Sequence, residues 1–151
     1  IEDGMRLRIP GEGEAGDREA MRGDLFVLVR IRRHDFFERE KSHLYCQIGI
    51  SFVQAALGAQ VEIPTLDDRD RVSLKIPAGI QSDEIIRIKG KGIKELNSNR
   101  SGDLFVKVIV KTPENLTKEQ KALLRQFAEM RGEKESVAER QTLGKVKNIF
   151  H

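Results

Sequence analysis

Gly23-Asp-Leu-Phe-Val27 returns without change as Gly102-Asp-Leu-Phe-Val106, and Leu7-Arg-Ile-Pro-Gly-Glu-Gly13 returns at the same offset of 79 as Ile86-Arg-Ile-Lys-Gly-Lys-Gly92. The alignment needs no gap, and 10 of the 25 positions from Leu7 to Ile31 are identical. Two copies are too few for a solenoid, in which each repeat is covered by its neighbours. They indicate two related small domains in tandem, the first cut at its front. In each copy apolar residues alternate with others, the period of a strand with one covered face. Met5, Leu7 and Ile9 form one such run, with Leu25, Val27, Val29 and Ile31 as its partner; Ile86 and Ile88 are matched with Leu104, Val106, Val108 and Val110. Each pair reads as a β-hairpin closed by an exposed loop of about ten residues.

Further strands are predicted at Leu44–Ile50, Gln60–Ile63 and Arg71–Ile76, the last ended by Pro77-Ala-Gly79. Ser51 and Gln54 have capping-box spacing, and Gly58 stands where a helix C′ glycine belongs, so a short helix is expected between the first two strands. Thr117 and Gln120 repeat the capping-box spacing, with Gly132 as the stop. Leu123, Leu124, Phe127 and Ala128 form an apolar stripe on that second helix. Residues 133–142 read as a charged linker, after which Leu143, Val146, Ile149 and Phe150 recur at helical spacing. The expected fold is mostly β: two tandem small β-sandwich-like domains and a C-terminal helical segment. Residues 1–40 hold the C-terminal part of the first domain, 41–115 the second, and 116–151 the helical segment and tail.

A sequence pI near 9.1 invites a nucleic-acid reading, but the charge is unevenly placed. Residues 116–151 carry 8 basic and 5 acidic side chains, which leaves 19 of each in 1–115. A phosphate-binding protein concentrates cations on its folded face, and aromatics at 5% with no Trp leave few stacking platforms. Such a reading would rest on tail residues such as Lys145 and Lys147. No apolar run approaches the roughly eighteen residues of a membrane span. The single cysteine, Cys46, cannot form an internal disulfide and reads as a small buried core residue in a reducing compartment.

Gly11-Glu-Gly13-Glu-Ala-Gly16 formally matches the dinucleotide fingerprint, which requires a helix to begin at the glycines. Gly23 follows only seven positions after Gly16, too soon for that helix, and the repeat copy lacks the third glycine. His34-Asp35 reads as solvent-facing residues at a strand end rather than an acid–base pair, since neighbours on a strand point to opposite faces. Asp24 and Asp103 precede strands in both copies, where Asx-type bonds to the turn backbone explain them better than catalysis. One cysteine and three scattered histidines offer no metal-ligand spacing. Nothing points to an enzyme.

Taken together, Glu2 through Gly16, Gly23-Asp-Leu-Phe-Val27, Phe37-Glu-Arg39, Ala55-Ala-Leu-Gly58, Ile63-Pro-Thr-Leu-Asp67, Ile76-Pro-Ala-Gly79 and Arg87-Ile-Lys-Gly-Lys-Gly92 resemble the C-terminal region of the bacterial-type Hsp40 (DnaJ) co-chaperone family. The resemblance runs from residue 2 to about 131, and its glutamate-rich glycine loop is most similar to the zinc-containing class. It implies a cytoplasmic chaperone of protein folding and the stress response, with two β-sandwich-like domains and a C-terminal dimerisation segment. It further implies that the first domain binds unfolded polypeptide in an apolar groove beside a strand edge and that clients pass to Hsp70. One family pocket residue maps onto Val27; Leu25 and Val29 share its side of the strand, with Leu7 and Ile9 on the partner strand. Dimerisation is expected from Leu123, Leu124, Phe127, Val146, Ile149 and Phe150. The J-domain and the zinc-binding repeats are not in this chain, so no cofactor is expected here; zinc would belong to an upstream cysteine-rich region, and the opening strands of the first domain, which carry part of the pocket, would also lie before Ile1. Asp68 replaces the family's usual turn glycine. The alternative reading is a scaffold that dimerises and contacts Hsp70 without binding clients; neither reading involves a membrane or nucleic acid.

Overall fold

A computed structural model describes residues 1–16, 21–67 and 69–134. Ile1–Thr112 forms one compact unit, and the chain from Pro113 belongs to a second. The first unit is built almost wholly of strands: β1 (Arg6–Ile9), β2 (Leu25–Leu28), β3 (Glu38–Glu40), β4 (His43–Ser51), the short helix α1 (Phe52–Leu57), β5 (Ala59–Pro64), β6 (Arg71–Ile76), β7 (Ile85–Ile88) and β8 (Leu104–Lys111). β1 and β2 form a two-stranded antiparallel sheet, β5 and β6 another, and β3-β4-β8-β7 a four-stranded sheet.

The two halves of the repeat are indeed hairpins, and they share one register. Arg6 pairs Leu28 and Ile9 pairs Leu25 in the first; Ile85 pairs Lys107 and Ile88 pairs Leu104 in the second. Every pair maps onto its counterpart 79 residues on. The connecting segments span residues 10–24 and 89–103, fifteen residues each against the roughly ten expected. The difference between the copies lies in what surrounds them. β8 continues into the sheet through eight parallel pairs with β4, from Leu44↔Leu104 to Ser51↔Lys111; among the described residues β2 pairs with β1 alone.

The core follows from strand alternation. Leu44, Cys46 and Ile50 of β4 and Leu104, Val106 and Val108 of β8 point to one side of the four-stranded sheet. The β5–β6 hairpin closes over them: its register brings Ala59 opposite Ile76, Val61 opposite Leu74 and Ile63 opposite Val72, all apolar. Its other face is polar, and Gln60 Nε2 donates to Ser73 Oγ at 2.7 Å. This is the sandwich of the second domain. Helix α1 carries the expected reciprocal cap: Ser51 Oγ accepts from the Gln54 amide, Gln54 Oε1 accepts from the Ser51 amide, and Gly58 ends it at φ 80°. Its buried Ala55 completes the core.

Cys46 lies in that core, and burial pushes its thiol from the ordinary value of 9.0 up to about 11. The folded protein is therefore expected to leave Cys46 unmodified by a thiol reagent near neutral pH, with full reaction after unfolding. The folded state holds its proton longer than the unfolded chain does. Stability is thus expected to fall as pH rises from 9.0 to about 11. Cys46→Ala should flatten that part of a pH–denaturation series; an unchanged slope would place the cause elsewhere.

In the second unit, helix α2 (Lys118–Met130) begins at Thr117 with the predicted reciprocal cap to Gln120 and is followed by Gly132 at φ 69°. Leu123, Leu124 and Phe127 are all exposed, as is Met130. Val146, Ile149 and Phe150, with Leu143, lie outside the described residues, as does Asp68. Among the described residues no helix is long and apolar enough to cross a membrane.

Candidate functional site

Arg8 and Asp24 lie sixteen residues apart, as do Arg87 and Asp103, and each pair closes one end of its hairpin. Arg8 Nε donates to Asp24 Oδ2 at 2.6 Å and Arg87 Nε to Asp103 Oδ2 at 2.7 Å. The second carboxylate oxygen accepts from the first glycine of the loop motif: the Gly11 amide at 3.2 Å, the Gly90 amide at 2.9 Å. The aspartates are structural, as the sequence indicates, but their bonds cross the loop to a glycine thirteen residues back instead of closing a local Asx turn. The Gly90 amide, and then the Arg87 guanidinium, hold the Asp103 carboxyl below its ordinary range.

The glycines of the motif have separate reasons. Gly11 and Gly90 both take φ 74°, which a side chain resists. Gly13 and Gly92 sit under a backbone crossing, where their amides donate to the carbonyls of Gly23 (2.7 Å) and Gly102 (2.8 Å). A Cβ at Gly13 would come 2.6 Å from the Gly23 carbonyl carbon. Among the described residues no helix begins at these glycines. His34 is not at a strand end: its Nδ1 accepts from the amides of Phe36 (3.0 Å) and Phe37 (3.2 Å) and shapes a bend before β3. Among the described residues no group of three or more metal-ligating side chains converges.

The duplicated frame carries the same side chains into two different settings. In β8, Leu104 is 1% exposed and Val106 0%; their counterparts Leu25 and Val27 in β2 are 41% and 38% exposed. Leu7 stands opposite Val27 and Ile9 opposite Leu25, so four candidate residues share one face of the first hairpin. Val29 lies just past β2, half-buried, with its amide donating to the Met5 carbonyl at 2.9 Å. Among the described residues none before Phe37 belongs to the buried core. The hairpin is tied to the second sandwich instead by Arg39 of β3, whose Nη2 donates to the Ile1 carbonyl at 2.6 Å and to Glu2 at 3.3 Å. Leu7, Ile9, Leu25 and Val27 thus make one apolar face of the β1–β2 hairpin. Sequence reasoning found the face but not the arginines that square its ends; the constant Arg-to-Asp separation in both copies was the available signal.

Residues 1–113 match the family model of the DnaJ C terminal domain. Over 150 residues, 99% of this chain, it is 47% identical to the Chaperone protein DnaJ of Halothermothrix orenii, and over 134 residues, 89% of this chain, 48% identical to that of Brevibacillus choshinensis. These alignments cover 40% and 35% of the two relatives, so the chain spans well under half the length of each.

Proposed function

The chain belongs to the DnaJ C-terminal domain family, and from that premise we propose that it binds non-native polypeptide on the inner face of its first hairpin. The observation that carries the reading is the grouping of Leu7, Ile9, Leu25 and Val27 on one face of the first hairpin, within a chain matched to this family over residues 1–113. Ile9, Leu25 and Val27 are exposed and Leu7 half-buried beside them, and apolar surface left in water forfeits about 25 cal/mol for each Å² that a partner could cover. An extended apolar segment can add along the open edge of β2 by backbone hydrogen bonds while its side chains meet Leu7, Ile9, Leu25 and Val27. Binding of this kind selects loosely, since the backbone supplies direction and the apolar face supplies adhesion.

The rest of the reading follows the family. The chain is a non-enzymatic co-chaperone segment, acts in the cytoplasm, needs no metal of its own, and hands its clients to Hsp70. Two copies associate through Leu123, Leu124 and Phe127 of α2, together with tail residues Val146, Ile149 and Phe150, and paired arms then raise avidity for a client that reaches both.

A fluorescence-anisotropy titration with a Leu-rich extended peptide tests the site, with a polar scramble as control. Saturable binding of the apolar peptide is expected, little changed by salt. Val27→Asp should weaken it by more than about tenfold without unfolding the chain, since a charge on that face has no partner. A folded dimer that binds no peptide would sink the client reading and leave the chain a scaffold.

A further inference from the structure

Arg39 lies where the first hairpin meets the second sandwich, and its donors reach into both. It stands opposite the buried Leu44 in the β3–β4 ladder, so its stem shares the covered side of the sheet. The side chain is accordingly only 22% exposed. Its Nε donates to the Lys41 carbonyl at 2.7 Å, in the turn that joins β3 to β4. Its Nη2 donates to the Ile1 carbonyl at 2.6 Å and to Glu2 Oε1 at 3.3 Å. One planar group thus spans two backbone carbonyls, one on each body.

Both ends of this bridge are themselves held. On the sandwich side the Ser42 carbonyl accepts from the Ile93 amide at 2.7 Å, and the Leu44 amide donates to the Asp103 carbonyl at 3.0 Å. On the hairpin side the Gly4 amide donates to the Val29 carbonyl at 2.9 Å and the Ile31 amide to Asp3 Oδ1 at 2.8 Å. Residues 32–36 make the covalent link, bent where His34 Nδ1 accepts from the Phe36 and Phe37 amides. A single tether lets an arm turn about it; a second fixed point removes that freedom. Among the described residues, every hydrogen bond between residues 1–31 and 37–112 is donated by Arg39. A guanidinium suits this place because its donors lie in a rigid plane. Two carbonyls bonded to it are fixed in direction as well as distance, whereas an ammonium fixes distance alone.

We infer that Arg39 is a positioning residue for the proposed client site, setting the direction in which the first hairpin leaves the second sandwich. The inference rests on that client reading for its purpose and not for its geometry. An arm already held in one direction needs no ordering when a client arrives, so the binding energy of its face is not spent on fixing the arm.

The test is a distance measurement by double electron–electron resonance on the full chain. Nitroxide labels are carried at Arg6→Cys on β1 and Lys75→Cys on β6, both exposed positions, while Cys46 stays buried and unlabelled. Dilution into excess unlabelled chain restricts the reading to distances within one copy. With Arg39 present, a single narrow distribution is expected. Arg39→Lys keeps the charge and loses the planar fork, and should widen the distribution about twofold or more at an unchanged melting temperature. Glu2→Gln should leave it narrow, because Glu2 is 64% exposed and accepts the longest of the three bonds. A short Leu-rich peptide should bind the parent and Arg39→Lys alike to within about twofold, since the inner face is intact in both. A distribution as narrow in Arg39→Lys as in the parent would overturn the assignment, and so would a parent that is already broad. Widening accompanied by a fall in melting temperature would make Arg39 a structural residue only, and overturn it equally. Failure of the parent to bind the peptide counts against the inner face alone, because the distances are read without a client.

Discussion

Leu104→Ala is expected to cost the first unit roughly 2–5 kcal/mol, and Leu25→Ala, the same substitution at the equivalent place in the repeat, under about 1 kcal/mol. Leu104 is shut in by Leu44 of β4 and Ile88 of β7 on the neighbouring strands and by the apolar face of β5–β6. Removing its side chain leaves a cavity that a close-packed interior closes only in part, so the lost transfer energy and the void add. Leu25 has Ile9 opposite it and water on much of the rest. Its truncation removes little burial. Urea denaturation of the two variants, with m-values compared to confirm a common transition, should separate them by at least about 2 kcal/mol. Leu25→Ala should instead show itself as weaker binding of the Leu-rich peptide. Equal costs at the two positions would mean that the inner face of the first hairpin is already packed in solution, and no free face would remain for a client.

That experiment also marks the boundary of what this sequence could disclose. The hairpins, their shared register and both capped helices were legible because each depends on local chemistry: alternation within a few residues, Ser51 with Gln54, Thr117 with Gln120. The strand 71–76 could be read to the residue. Which copy of Gly-Asp-Leu-Phe-Val would be buried could not, because the five residues are identical and only their neighbours differ. Those neighbours come from the parallel pairing of β4 with β8, about sixty residues apart in the chain, whose register is a property of the sheet and not of either strand alone. β3 escaped notice for another reason. Its turn to β4 is Lys41-Ser42, without the glycine or asparagine that usually betrays a tight turn, and Lys41 takes φ 55°. Arg39 Nε donates to the Lys41 carbonyl at 2.7 Å and helps hold that conformation. The same arginine ties the first hairpin down, so a side chain that looked like surface charge joins two parts of the unit.

The candidate site was half visible for the same physical reason. Alternation placed Leu7, Ile9, Leu25, Val27 and Val29 on one side, and the register bears out that grouping for the four within the strands. Their exposure is a fact about absent neighbours, which alternation cannot express. Phe26 and Leu28 alternate with that set, on the other face of β2.

Gly102→Ala is expected to be strongly destabilising, and Gly23→Ala nearly silent. A Cβ on Gly102 would fall on the Ser42 carbonyl, and no flexible side chain stands between them to yield. That carbonyl already accepts from the Ile93 amide at 2.7 Å, while the Gly102 amide donates to the Ile93 carbonyl at 3.0 Å. One residue on, the Asp103 amide donates to His43 Nδ1 and the Leu44 amide to the Asp103 carbonyl, both at 3.0 Å. Moving Gly102 aside enough to admit a methyl therefore strains the start of β4, the start of β8 and the loop between β7 and β8 together. A cost of about 3 kcal/mol or more follows, in the range reserved for steric conflict with the backbone. Around Gly23 a Cβ meets nothing within 4 Å. Gly23→Ala should change stability by no more than about 0.5–1 kcal/mol, part of it a gain from a less flexible unfolded chain. Gly13→Ala supplies the internal check, since the Gly23 carbonyl carbon blocks it at 2.6 Å in the very hairpin where Gly23 itself is open. If Gly23→Ala proved as costly as Gly102→Ala, some backbone would have to abut Gly23 as Ser42 abuts Gly102. The edge of β2 would then be occupied before any client arrives, and the inner face argued for the first hairpin would have to be reassigned.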